Sequence, residues 1–226
     1  MLSAGKEVLE FGCGLGGGAR ALHRAYSTWV TGYEPSAQLS AAAAVLSRVA
    51  RLERSVNIMH FASYPLQLRT NFFDCAISTD TLFQMEYKKE LISGMIRGLK
   101  VHGQLLITDF VRREGSESYS KWLAAFGPTP AHVWSAEDYM RCLRATNLEL
   151  QTIKDITEMY RRMVLEHMAR LAVKAELSMY ARAFPHAVTA LLNLWEARVA
   201  ALEKGAVKVM QFVASKRREV RLLSDW

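Results

Sequence analysis

Apolar residues in the first half of the chain fall into short solid runs, separated by stretches where they recur every three or four positions. The runs at residues 7–11, 29–33, 56–60, 73–78 and 104–110 predict strands. The intervening periodic stretches predict helices near 17–26, over the alanine-rich 36–52 with Pro35-Ser36 as its start signal, and over 87–99. In the last of these, Leu91, Ile92, Met95, Ile96 and Leu99 share one side. Strands alternating with helices imply an α/β fold with a doubly wound, mostly parallel sheet covered on both faces. Such sheets bind ligands outside the carboxyl ends of their strands.

The pattern then changes. Residues 113–134 read as a loop and short helix containing Gly127-Pro128-Thr129-Pro130, suited to a lid or linker. Ser135-Ala136-Glu137-Asp138 is a capping-box-like start for a helix through Arg144, and Leu148–Ile153 predicts a late antiparallel strand. From about residue 155 the period is helical. Ile156, Met159, Met163, His167 and Leu171 recur on one side, with His167 expected as a core histidine. Pro185 starts a second helix in which Val188, Leu192, Trp195, Val199, Leu202, Ala206, Val209 and Val213 form a heptad-like seam. The expected organisation is a domain over 1–154 and a helical extension over 155–226. The seam of the 188–213 helix would pack on the preceding helix as a hairpin, or join a homodimer or partner subunit.

Composition narrows the class. The chain has 226 residues, half of them hydrophobic, enough for one large domain or one domain with an appendage. No apolar run approaches a membrane span, and the first residues do not resemble a signal peptide. Cys13, Cys75 and Cys142 are odd in number and lack metal-ligand spacing, which points to a reducing cytoplasm and no bound metal. The net charge of +7 comes mostly from residues 151–226, where basic and acidic side chains alternate along helical segments as on a solvated face.

The candidate chemistry sits at the first turn. Val8-Leu9-Glu10-Phe11-Gly12-Cys13-Gly14-Leu15-Gly16-Gly17-Gly18 reads as a buried strand opening into a glycine turn and a helix. Gly12, Gly14 and Gly17 satisfy GxGxxG, so a dinucleotide is one reading. Glu10 opposes it, because a carboxylate aimed at that turn would repel a pyrophosphate and suit an ammonium. Glu34 ends the second strand, where a carboxylate reaches ribose hydroxyls.

The Glu10-x-Gly12-x-Gly14-x-Gly16 pattern resembles motif I of the class I S-adenosylmethionine-dependent methyltransferases. Asn71–Ser78 and Leu99–Phe110 follow the order of that superfamily. Within it, Ser78-Thr79-Asp80-Thr81-Leu82-Phe83, Leu105–Phe110 and the Gly-Leu-Gly-Gly-Gly turn are most similar to phosphoethanolamine N-methyltransferases. The resemblance covers about residues 6–112 and implies a Rossmann-like methyltransferase sheet. It also implies that Glu10, Gly12 and Gly14 hold the methionyl end, Glu34 the ribose, and Asp80 the substrate and sulfonium, with Gly16 also binding cofactor and Asp80 also the candidate catalytic residue.

The chain departs from those relatives at three places. Ala62, followed by Ser63, stands where an acidic residue meets the adenine amino group, leaving Ser63 as the candidate there. Gln84 replaces a histidine. The one or two helices that precede strand one in such enzymes are not recognisable, and the phosphate-gripping tyrosine, arginine and lysine pattern is not either. Tyr64, Tyr87 and Tyr119 are aromatic candidates for an amine substrate. The expected function is methyl transfer to a small molecule, at an amine nitrogen. The alternatives are an O- or C-methyltransferase of secondary metabolism, and a degenerate, non-catalytic domain acting as a partner subunit. A nucleic-acid base methyltransferase would carry Asn/Asp-Pro-Pro-Tyr/Phe after strand four, where this chain has Ser78–Phe83.

Overall fold

β1 (Glu7–Phe11) lies at the middle of a sheet because both of its faces are apolar: Val8, Leu9 and Phe11 are completely buried. The computed structural model describes residues 2–113, 123–126, 131–177 and 185–218. After β1 come α1 (Gly17–Tyr26), β2 (Trp29–Glu34), α2 (Ala37–Val49), β3 (Val56–His60), β4 (Phe73–Thr79), α3 (Lys88–Gly98) and β5 (Leu99–Arg112). The chain continues through α4 (Ala136–Arg144), β6 (Leu148–Asp155), α5 (Thr157–Leu177), α6 (Pro185–Glu203) and β7 (Val207–Lys216), with single 3-10 turns at Leu82–Gln84 and Leu123–Phe126. The seven strands run in the order β3-β2-β1-β4-β5-β7-β6. The first five are parallel, and β7 is antiparallel to both β5 and β6.

The strands and helices expected before residue 155 are present, mostly within a few residues. Ser36 caps α2 by accepting a hydrogen bond from Leu39 N at 3.3 Å, and Ser135 with Asp138 closes a capping box on α4. β5 begins earlier than expected, at Leu99. His102 is a left-handed residue within that strand (φ 64°), near a register shift between Phe73 and Cys75.

The C-terminal third corrects the expected pattern twice. The helix carrying the seam stops at Glu203, and Val207–Lys216 is not helix but β7, inserted between β5 and β6. Gly205 takes φ 65°, and Ala206 N donates to Ala201 O at 3.1 Å, a left-handed helix stop. Val207, Val209 and Val213 then favour strand over helix. The 3-4 spacing of Ala206, Val209 and Val213 matched a heptad by coincidence. The seam itself holds as far as Leu202: Val199 and Leu202 are buried with Tyr160 and Val164, so α5 and α6 pack together.

The second correction is rotational. The buried side of α5 is Tyr160 and Val164, in line with Ile156 just before it and with Met168 partly buried against them, whereas Met159, Met163 and His167 are exposed. Both stripes have a four-residue spacing, and an amphipathic pattern alone did not choose between them. Gly127–Pro130 and Tyr119 lie outside the described residues.

At the amino-end edge of the sheet, Asp74 accepts hydrogen bonds from Lys6 Nζ at 2.9 Å, Lys100 Nζ at 2.8 Å and Glu7 N at 3.0 Å. Burial raises its carboxyl, but the bonds from Lys100, the Glu7 N–H and Lys6 outweigh that and hold it at about 2. Because this value is below the unfolded one, the stabilisation is present above the ordinary value of 3.8 and is lost as pH falls through about 2. Asp74→Asn should cost about 1 kcal/mol at neutral pH, the half-exposed lysines being screened. Urea unfolding at neutral and strongly acidic pH checks this, with the two proteins converging in acid.

Candidate active site

The loop after β1, the end of β2 and the end of β4 meet at the carboxyl edge of the sheet. They enclose a cleft of about 520 Å³ whose lining includes Gly12, Gly14, Glu34, Asp80, Gln84 and Met85. Pro35, Leu39 from α2 and Met85 are the apolar side chains of that lining.

Glu34 is buried, and its two oxygens are aimed by backbone: Oε2 accepts from Gly14 N at 2.7 Å and Oε1 from Ser36 N at 2.9 Å. A carboxylate offers about four lone-pair sites, so two remain for a ligand's hydroxyls. Gly12 has φ 80°, and a Cβ there would sit 1.9 Å from Thr81 Oγ1. Its bareness therefore serves the packing of Thr81 as well as ligand access, and Thr81 Oγ1 donates to the Gly12 carbonyl at 3.3 Å. Gly16 is the left-handed cap of α1.

Glu10 turns from β1 under the start of α1. A Cβ on Gly18 would lie 2.6 Å from Glu10 Oε1, so Gly18 provides the carboxyl's resting place. Burial pushes the Glu10 carboxyl up to about 7, against a hydrogen bond from the Ala19 N–H and the nearby Arg20 charge. Its Oε2 is buried without a partner. That buried, unpartnered carboxyl oxygen is an acceptor that a cationic ligand group would satisfy. Gly18→Ala should displace the carboxyl and weaken any ligand it holds by about tenfold, measured as the change in dissociation constant.

Asp80 follows β4 in a left-handed conformation, φ 53°, with its N–H donating to Thr108 O at 2.9 Å. Oδ2 accepts from Tyr160 Oη at 2.5 Å, and Oδ1 is buried without a partner. Burial pushes this carboxyl up to about 6, while the Tyr160 bond and the Arg198 charge pull it down. On β5 behind it, Asp109 is fully buried, accepts a hydrogen bond from Tyr139, and lies near Lys88. Burial raises Asp109 and lowers Lys88.

The structure thus brings Gly12, Gly14, Glu34 and Asp80 to one cleft, while Glu10, packed against Gly18, is not part of its lining. Ser63 and Ala62 are exposed, and neither lines it. Burial pushes the Cys13 thiol up to about 12, in keeping with a small buried side chain and not a nucleophile. Tyr160 and Arg198 were missed from the sequence. Tyr160 was hidden by the rotational ambiguity of α5, and nothing in the sequence linked Arg198 to residue 80.

A seven-stranded sheet of this order with acidic residues at the ends of β1, β2 and β4 defines a class, and sequence comparison agrees. The family profile described as Methyltransferase domain matches residues 2–153, and the chain belongs to that family. Among curated proteins it is similar to phosphoethanolamine N-methyltransferase 1 of Triticum aestivum, 26% identical over 217 residues, which are 95% of this chain and 42% of the relative. The chain thus spans about two-fifths of that relative's length. Among solved structures it resembles Haemonchus contortus phosphoethanolamine N-methyltransferase 2 in complex with phosphomonomethylethanolamine and S-adenosylhomocysteine. The TM-score is 0.84 at 21% identity, covering 96% of this chain and 51% of that one. Geranyl diphosphate C-methyltransferase from Streptomyces coelicolor shares the fold at TM-score 0.71 and 18% identity, over 95% of this chain and 74% of that one. Among the described residues, no helix is long and apolar enough to cross a membrane.

Proposed function

We propose that the chain binds S-adenosylmethionine in the cleft and promotes methyl transfer to an amine nitrogen of a small molecule. The observation that carries this reading is the placing of three carboxyls, Glu10, Glu34 and Asp80, around one glycine turn, each with unused acceptor capacity. A dinucleotide pyrophosphate would meet like charge there. Family membership supports the same reading.

In the bound state Glu34 takes the two ribose hydroxyls and Glu10 Oε2 takes the methionyl ammonium. Leu39 and Met85 supply apolar surface for the purine. Bound S-adenosylmethionine would supply a methyl carbon on a sulfonium, open to displacement by the acceptor nitrogen's lone pair, with the C–S electron pair leaving on the neutral thioether and the amine's proton passing to solvent. A neutral amine needs little help from a base, so the protein's work is alignment and charge complementarity. Asp80 Oδ1 attracts the cationic centre, and Gln84, which takes no proton, orients the acceptor by hydrogen bonding.

We assign cofactor binding to the carboxyl edge built by residues 1–154. The 155–226 stretch provides the acceptor-side cover through α5 and α6, while its β7 completes the sheet. The seam's inward packing supports a site made within one chain, and three buried free thiols fit a reducing, cytoplasmic setting. The test uses methyl-labelled S-adenosylmethionine with ethanolamine, phosphoethanolamine and phosphomonomethylethanolamine as acceptors. Label on nitrogen supports the proposal. Label transferred only to oxygen or carbon acceptors from a wider panel contradicts it and favours the O- or C-methyl reading.

A further inference from the structure

Asp80 is pinned on its backbone side. Its left-handed φ is unusual for a residue with a side chain, and the strand-end bond to Thr108 O holds it there. The carboxyl itself is held by residues more than seventy positions away. Tyr160 Oη donates to Oδ2, and the Tyr160 ring packs edge-on against Phe110 with centroids 5.6 Å apart.

Tyr160 cannot drift, because the start of α5 is clamped to β7. Ile156 N donates to Val209 O at 3.0 Å, Val209 N donates to Thr157 Oγ1 at 3.0 Å, and Asp155 Oδ1 accepts from both Thr157 N and Thr157 Oγ1. Arg198, from α6, lies behind the pair. Its Nε donates to Ala125 O at 2.9 Å, and its guanidinium stands 4.6 Å from the Trp195 ring centroid. Its charge acts on both Asp80 and Tyr160.

We propose that Tyr160 is the positioning residue of the acceptor-side carboxyl. Its O–H holds Oδ2 of Asp80, leaving Oδ1 to meet a cationic centre. This rests on the reading of the cleft as a methyl-transfer site. The groups that act on Asp80 are Tyr160 from α5, Arg198 from α6 and Asp109 from β5. The first two favour the ionised form and Asp109, when charged, opposes it. Gln84, uncharged, contributes no titration of its own. Ionised, Asp80 attracts a sulfonium or ammonium; protonated, it loses that attraction. The C-terminal third thus tunes a residue that belongs to the first half of the sheet.

Carboxyl-carbon NMR of the full chain tests this, with Asp80→Asn identifying the Asp80 signal. In Tyr160→Phe, which keeps the ring and removes the donor, the Asp80 midpoint should rise by about one pH unit. Arg198→Gln should move it in the same direction and serves as the second variant. In parallel, titrations with S-adenosylmethionine and S-adenosylhomocysteine compare a sulfonium with a neutral thioether. Tyr160→Phe should lower the preference for the sulfonium about twofold at neutral pH, with S-adenosylhomocysteine affinity unchanged. A midpoint that ignores both substitutions overturns the proposal. If neither nucleoside binds the wild-type chain, the cofactor reading fails, and the carboxyl titration still decides whether Tyr160 and Arg198 set Asp80.

Discussion

Glu34→Ala should reduce affinity for S-adenosylhomocysteine by roughly two orders of magnitude, as expected for losing hydrogen bonds to a charged, buried group at about 1.5–3 kcal/mol. The loss has two sources. The ribose hydroxyls lose their acceptor, and the Gly14 and Ser36 N–H groups lose the oxygens that now hold the loop and the start of α2 in register. Calorimetric titration measures the first. Thermal unfolding measures the second, which should lower the midpoint modestly because both N–H groups can turn to water. Retained affinity in this variant would mean that the cleft does not hold a ribose at Glu34.

Glu10→Gln should act in opposite directions on stability and on binding. In the folded protein the carboxyl titrates at about 7, against an ordinary value of 4.5. The folded state therefore binds this proton more tightly than the unfolded one, so stability is highest below 4.5 and declines as pH rises through about 7. Above that the buried charge costs up to about 3 kcal/mol. An amide removes the charge, and its unpaired N–H groups give part of that back, so the variant should gain about 1–2 kcal/mol at mildly alkaline pH and little in acid. Binding should fall tenfold or more, because no carboxylate then meets the methionyl ammonium. The wild-type affinity for S-adenosylhomocysteine, which has no sulfonium for Asp80 to attract, should climb as pH rises to about 7 as Glu10 ionises, and the variant's should be flat. Denaturant midpoints and binding isotherms over the same pH series check both halves. A variant that is less stable and binds equally well would place Glu10 in a purely structural role.

The glycine-turn side of the cleft was legible because it is local. Glu10, Gly12 and Gly14 lie in one strand-turn unit, and Glu34 ends the next strand, so spacing along the chain reports position at the sheet edge. The acceptor half is assembled from remote parts. Asp80 was identified from its place after β4, but its partner Tyr160 lies eighty residues away on a helix whose buried face could be read in two registers. β7 was hidden for a related reason: its valines continued the spacing of the helix before it, and only Gly205 marked the break. Ser63 rests on the resemblance to enzymes that bear an acidic side chain nearby, and it lies exposed, apart from the lining of the cleft. Short-range pattern therefore located the glycine turn and Glu34, and long-range pairing, which a single sequence does not encode in its spacing, built the rest of the cleft.

The cleft between β1, β2 and β4 is proposed as an S-adenosylmethionine site. Titration calorimetry of the full chain with S-adenosylhomocysteine, with NAD in parallel, tests it most directly. Micromolar binding of S-adenosylhomocysteine with no heat from NAD is the expected result. Binding of NAD alone, or of neither, would contradict it, and the second outcome would move the degenerate, non-catalytic reading to the front.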